Sequence, residues 1–227
     1  TRYWRDWSSD VCSSDLREHL LVIRESGEGG TDDDLANVDL DIARTWRGTG
    51  DDRRALDIVA RLAHFDIATR SFVEGQHDAT TSAAAYLLLA EILRGETDTR
   101  EVADAVIERC VREHPDDPAV LVQHARITAR GSNRDLALQQ ATRAASLAPD
   151  DPAAVSAYAM ALAATGERRA ACEAYVEGLR RMPADQALFS DATRTVALFG
   201  TPEQVLEVLD AAWDRLDRKS TRLNSSH

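Results

Sequence analysis

Aromatic side chains are scarce in this chain: four Trp, four Tyr and four Phe make up 5% of its 227 residues. Cysteine is scarcer still. Three cysteines, far apart, exclude a disulfide framework and a zinc site built on paired thiolates. Basic residues fall short of acidic ones, 27 against 39, leaving a net charge of -12 and a pI near 4.9. A nucleic-acid or anionic-membrane partner needs a cationic footprint, so neither is expected. No apolar run approaches the ~20 residues that cross a bilayer and no signal-peptide core is visible, so the expected location is the cytoplasm. What is present is 44% hydrophobic and 29% charged residues. That composition fits one elongated or two compact folded domains and lies far from disorder.

Lysine is almost missing. The single one is Lys219, whereas residues 17–216 use arginine throughout. The flanking segments, 1–16 and 217–227, are polar, serine-rich and without periodicity. One DNA spelling of Asp217–His227 has a reverse complement that, read from its third base, encodes Asp-Trp-Ser-Ser-Asp-Val-Cys-Ser-Ser-Asp, which is Asp6–Asp15. Both segments therefore resemble translated sequencing-adapter sequence read in opposite senses, and they are set apart as non-native tails. The stretch between them reads as an internal piece of a longer bacterial gene product, a metagenomic fragment, and is more acidic than the whole chain.

Proline and glycine are few, and their placement is regular. Pro115, Pro149 and Pro183 recur at an even spacing of 34 in matching contexts: His114-Pro-Asp-Asp-Pro-Ala-Val120, Ala148-Pro-Asp-Asp-Pro-Ala-Ala154 and Met182-Pro-Ala-Asp-Gln-Ala-Leu188. Each follows one apolar-periodic run and precedes another. Proline ends the outgoing helix, Asp117 or Asp151 caps the next, and Pro118 or Pro152 suits its first turn. Between these junctions, Gly131, Gly166 and Gly200 are expected to supply inner turns through a positive φ. Thr201-Pro-Glu-Gln204 reads as a capping box. The pattern predicts helices at about 83–94, 99–113, 118–130, 134–147, 152–164, 168–181, 186–198 and 202–215. Ala103, Ala137 and Ala171, which keep the same spacing, allow paired helices to approach closely.

These residues resemble the tetratricopeptide repeat family over about residues 84–216. The resemblance rests on repeat length, the terminal proline, the second-helix alanine, and first-helix small residues such as Ala125 and Ala159. Tyr175 fits a family aromatic position, at which Ile107 and Ala141 stand in the preceding repeats; related helix-hairpin repeats share the same architecture. The implied fold is all-α, a right-handed α-solenoid of stacked antiparallel helix hairpins, with four repeats at 84–117, 118–151, 152–185 and 186–216. Upstream, 34–83 reads as a degenerate helical hairpin plus loop. Ala55 and Ala103 are farther apart than one repeat length, and the excess is expected as a loop or extended helix around 65–80. Residues 17–33 read as a linker or the remnant of an upstream domain, with Leu20–Ile23 either a strand or a short helix. Within it, Glu25–Thr31 is a flexible connector without the Gly-Lys-Ser/Thr ending of a phosphate loop. Thr31-x-x-Asp34 signals the start of the first upstream helix.

Signs of catalysis are lacking. His19, His64, His77, His114 and His124 never form the i, i+4 pair of a metalloprotease helix, and Cys110 and Cys172 fall where small buried hydrophobes belong. Asp32-Asp-Asp34 precedes a helix, where negative charge suits the dipole, and lacks the alternation of a calcium loop. No enzyme activity, catalytic residue, metal or cofactor is expected. Binding needs only a shaped surface, and stacked hairpins provide an extended concave one. In the resembled family the first helices line that groove. By repeat position this implies Gln123, Arg126 and Arg130 from one hairpin, Ser156 and Met160 from the next, and Ser190, Asp191 and Arg194 from the last. Arg126 and Arg194 suit bidentate pairing with a partner's carboxylates. The lysine and asparagine set by which some members clamp a chaperone's C-terminal carboxylate is absent. The expected function is a non-catalytic scaffold for a protein or peptide partner. The alternative is an accessory region of a larger enzyme or transcriptional regulator. Self-association through uncovered repeat ends is also expected.

Overall fold

The computed structural model describes residues 13–26, 31–73, 82–95, 97–131 and 133–210. The chain divides into two compact units, one ending at Glu113 and the other beginning at His114. Helices dominate both.

In the first unit, α1 (Ser13–Ser26), α2 (Asp32–Gly48) and α3 (Asp52–Leu62) precede strands β1 (Phe65–Asp66) and β2 (Ser71–Phe72). Helices α4 (Ala83–Leu93) and α5 (Arg100–Glu113) complete it. Thr31 caps α2 reciprocally: the Asp34 N–H donates to Thr31 Oγ1 at 3.3 Å, and the Thr31 N–H donates to Asp34 Oδ2 at 2.9 Å. Two sequence expectations need correction here. Leu20–Ile23 takes the helical of its two alternatives, as part of α1, which packs on α2 with Leu20 buried, so this stretch is not a linker. Arg24 ties the pair by donating from Nε to the buried Asp39 carboxylate at 2.9 Å. α1 also begins at Ser13, inside the segment that the adapter match sets apart, and ends at Ser26, so the connector expected from Glu25 is shorter. The reading of Leu20–Ile23 as a strand from an upstream domain therefore falls away.

The second correction concerns the extra residues after α3. Part of that stretch is a two-stranded antiparallel hairpin in which Phe65 faces Phe72. His64 and Arg70 adopt left-handed φ values of 51° and 55°, and Asp66 Oδ1 accepts the Ala68 N–H at 2.8 Å. The Phe72 ring meets Phe65 edge-on at 5.3 Å and Tyr86 at 5.9 Å, with the Arg109 guanidinium 4.2 Å from its centre. Tyr86 donates to Glu113 Oε2 at 2.7 Å; burial and that carboxylate push its phenol up to about 12. Scarce aromatic rings and one arginine thus clamp the insert to α4 and α5. Residues 74–81, with His77, lie outside the described residues, as do both tails, before 13 and after 210.

The second unit follows the repeat closely. It contains α6 (Pro118–Arg130), α7 (Arg134–Leu147), α8 (Pro152–Thr165), α9 (Arg168–Arg181), α10 (Gln186–Phe199) and a final helical stretch, 202–210. Ala137, Ala141 and Ala171 are fully buried, and a Cβ on Gly178 would lie 2.6 Å from Val155 Cγ1 and 3.3 Å from Leu188 Cδ2. Small residues therefore set the approach of α9 to its neighbours. The glycine turns differ from expectation. Only Gly166 takes a positive φ, 95°, while Gly131 and Gly200 have φ of -87° and -77°. Gly200 is demanded by space, since a Cβ there would approach the Val196 carbonyl oxygen to 2.6 Å. Thr201 and Gln204 form the expected box, with bonds of 2.9 and 3.3 Å. Among the described residues, no helix is long and apolar enough to cross a membrane.

Candidate functional site: the first-helix layer of the second unit

Three helices start alike. Asp117, Asp151 and Asp185 recur at the repeat spacing and sit at the N-caps of α6, α8 and α10. Asp117 Oδ1 accepts the Ala119 and Val120 N–H groups, Asp151 Oδ1 the Ala153 N–H at 3.0 Å, and Asp185 Oδ1 the Leu188 N–H at 2.7 Å. A shared start fixes a shared phase, so residues one repeat length apart occupy equivalent positions. Helix α8 packs against both α6 and α10, which places these first helices in one layer.

The sequence-derived residues fall into two groups on this layer. Ser156 is buried, and its hydroxyl donates to Asp191 Oδ2 at 2.7 Å, joining α8 to α10. Beneath them Tyr175 of α9 directs its hydroxyl at the Ser156 carbonyl, 3.5 Å away. Burial raises the Tyr175 phenol and the Asp191 charge adds to the rise, while the Arg126 cation opposes it. Four side chains from four helices therefore meet electrostatically. Ser156 is floor rather than contact surface. Gln123 and Arg126 are half-buried, and Arg130, Met160, Ser190 and Arg194 are exposed.

The sequence marks Tyr175 only as fitting the aromatic position of a repeat. Its signal as a site component was readable: of Ile107, Ala141 and Tyr175, which share a repeat position, it alone carries a hydroxyl.

The arginines of this unit separate by layer. On the second helices, Arg134 donates to the Ala164 carbonyl, Arg143 pairs with Asp116, and Arg168 lies 4.6 Å from the Phe199 ring centre. Arg169 pairs with Glu173 at 3.0 Å, Arg180 with Glu207 at 2.6 Å, and Arg181 donates to the Pro149 carbonyl at 2.7 Å. Every described arginine of α7 and α9 is engaged within the protein. Arg126, Arg130 and Arg194, on α6 and α10, form no hydrogen bond or ion pair with the described residues. Asp191, three positions before Arg194, is held by Ser156 instead. Within α6, α8 and α10 these three arginines face one carboxylate, reversing the balance of the whole chain.

An open depression lies elsewhere, at the α8–α9 turn, lined by Gly166, Arg168, Arg169 and Glu173. Its arginines are already committed to Phe199 and Glu173. Among the described residues, no group of His, Cys, Asp and Glu is arranged to hold a metal ion.

No protein-family model matches the chain, and no curated protein matches it. Solved structures do. YrrB, described as a TPR protein with an unusual peptide-binding site, is similar with 18% identity and a TM-score of 0.53, over 92% of this chain and 98% of its own. TTC0263, a thermophilic TPR protein of Thermus thermophilus, shows 18% identity and a TM-score of 0.54, over 82% of this chain and 100% of its own. A tetratricopeptide repeat protein from Parabacteroides merdae shows 12% identity and a TM-score of 0.58, over 89% of this chain and 79% of its own. Identities at this level speak to fold alone: the chain has an all-α, tetratricopeptide-like helical-repeat fold.

Proposed function

We propose that the chain is a non-catalytic helical-repeat scaffold that holds a protein or peptide partner in a concave groove on the first helices of its second unit. The observation that carries this reading is an asymmetry between layers. First helices α6, α8 and α10 pack against their successive counterparts, whereas α7 and α9 make no comparable contact with each other. In a curved stack the inner side is the shorter arc, so the layer whose members touch lies inside the curve. Gln123, Arg126, Arg130, Met160, Ser190, Asp191 and Arg194 belong to that layer, and Ser156 supports it from below. The likeness to YrrB, itself described as having a peptide-binding site, agrees with a peptide occupant.

A photo-crosslinking amino acid at Met160, and another at Arg169 on the second layer, test the site against a displayed random-peptide library. Enriched peptides should crosslink from position 160 and not from 169. Failure to enrich any peptide, or crosslinking confined to 169, overturns the groove.

Self-association belongs to the same proposal. Leu206 and Leu209 stand one repeat length after Cys172 and Tyr175. The latter are 0% and 1% exposed under α10, whereas Leu206 and Leu209 are 59% and 55% exposed. An apolar face that the repeat elsewhere covers is available to a second copy. Sedimentation should show concentration-dependent association that the double variant Leu206→Glu, Leu209→Glu abolishes; a monomer at all concentrations contradicts it.

A further inference from the structure

We propose that the occupant of the first-helix groove is an extended acidic peptide segment, with two carboxylates held apart at the spacing of α6 and α10 and an apolar side chain midway between them. This rests on the groove reading above and adds the chemistry of what the groove takes. Arg126, Met160 and Arg194 occupy one equivalent position in three successive repeats. The layer therefore presents a row in the order cation, thioether, cation.

Charge complementarity identifies the occupant. Arg126 and Arg194 have no internal ion pair among the described residues, in a unit whose second-helix arginines are all engaged. The one carboxylate within α6, α8 and α10, Asp191, is bound by the Ser156 hydroxyl. Arg130, one turn beyond Arg126, adds a third cation at the α6 end. A guanidinium without an internal ion pair, exposed at Arg194 and half-buried at Arg126, is a bidentate receptor for a carboxylate. Met160, exposed and flexible, offers an adaptable apolar contact between the two.

Spacing follows from helix packing. Neighbouring packed helices lie about 8–10 Å apart, so α6 and α10, separated by α8, stand roughly 16–20 Å apart. A segment in the polyproline II form advances about 3.1 Å per residue with three residues per turn, so about six residues span that distance and positions three apart share a face. The side chain midway between the two carboxylates, three residues from each, then lies over Met160. A free C-terminal carboxylate satisfies only one of the two arginines, so internal acidic side chains are the fitting ligands.

Fluorescence anisotropy on the full chain tests this with a labelled twelve-residue, C-terminally amidated peptide. It carries two glutamates six apart and a leucine midway, in a Gly/Ser/Thr background. Saturable binding that falls as salt rises is expected. Arg126→Ala and Arg194→Ala should each weaken it roughly tenfold, and Arg169→Ala should leave it unchanged. Helical circular dichroism of the two groove variants should match the parent. Equal binding of the peptide with both glutamates replaced by glutamine, or undiminished binding by both groove variants, overturns the proposal. So does tighter binding of a single-stranded oligonucleotide at the same salt, or a requirement for a free C-terminal carboxylate. If neutral peptides bind and crosslink at position 160, the acidic preference falls while the groove stands. If no peptide reaches position 160, both fall.

Discussion

The two helix layers of the second unit both carry arginines yet use them oppositely. In α7 and α9, charge serves the fold: Arg143, Arg180 and Arg181 link one hairpin to the next through Asp116, Glu207 and the Pro149 carbonyl. In α6, α8 and α10, helix starts, small residues and the Ser156–Asp191 bond do the holding, and the arginines are left over. The difference teaches that exposure alone does not mark a binding surface, because Arg169 of the second layer is 88% exposed and still paired. The proposed function rests instead on charged side chains with no ion pair inside their own fold.

The contrast can be broken or sharpened by substitution. The largest effect is expected at Gly178, where Val155 and Leu188 leave no room for a side chain. Gly178→Val should cost the second unit about 2–3 kcal/mol by overpacking, read as a lowered denaturation midpoint. A fully tolerated valine would mean that the layers are not in close contact there. Removing a first-layer cap, Asp151→Ala, should cost about 1 kcal/mol, with faster amide exchange at Ala153. Next comes the direct contrast of layers. Arg181→Ala should cost about 0.5–1 kcal/mol, whereas Arg194→Ala should fall within about 0.5 kcal/mol of the parent. Equal losses would erase the distinction.

The smallest effect is a titration. Tyr175 is held above the ordinary tyrosine range by burial first, with Asp191 adding to the rise. Its neutral form therefore contributes stability that is complete below that range and is lost as pH rises through the elevated value. Followed by phenolate absorbance, Asp191→Asn should lower this titration and Arg126→Ala should raise it. Shifts of the opposite sign would show that these side chains do not meet over Tyr175.

Much of this architecture was legible in the chain itself. The even spacing of Pro115, Pro149 and Pro183 located the second unit's helices closely, because proline, capping aspartate and glycine act locally. The hairpin at Phe65–Phe72 was not legible. Two-residue strands have no periodicity to detect, and what holds them is a cluster with Tyr86 and Arg109, distant in sequence. The glycine turns misled for a related reason. Gly200 answers to the nearness of Val196, which sequence does not show, and Gly131 needs no left-handed backbone. Repeat position placed the candidate contact residues on one layer, but whether a hydroxyl faces solvent or a neighbour's carboxylate is decided by packing. Ser156 was the instance.

The division of labour between layers is tested most directly by arginine side-chain NMR on the folded chain. Guanidinium rotation and Nε–H exchange should be slowed for Arg143, Arg180 and Arg181 and should match a free side chain for Arg126, Arg130 and Arg194. Slow exchange at the first-helix arginines, with free rotation at those of α7 and α9, would contradict the account.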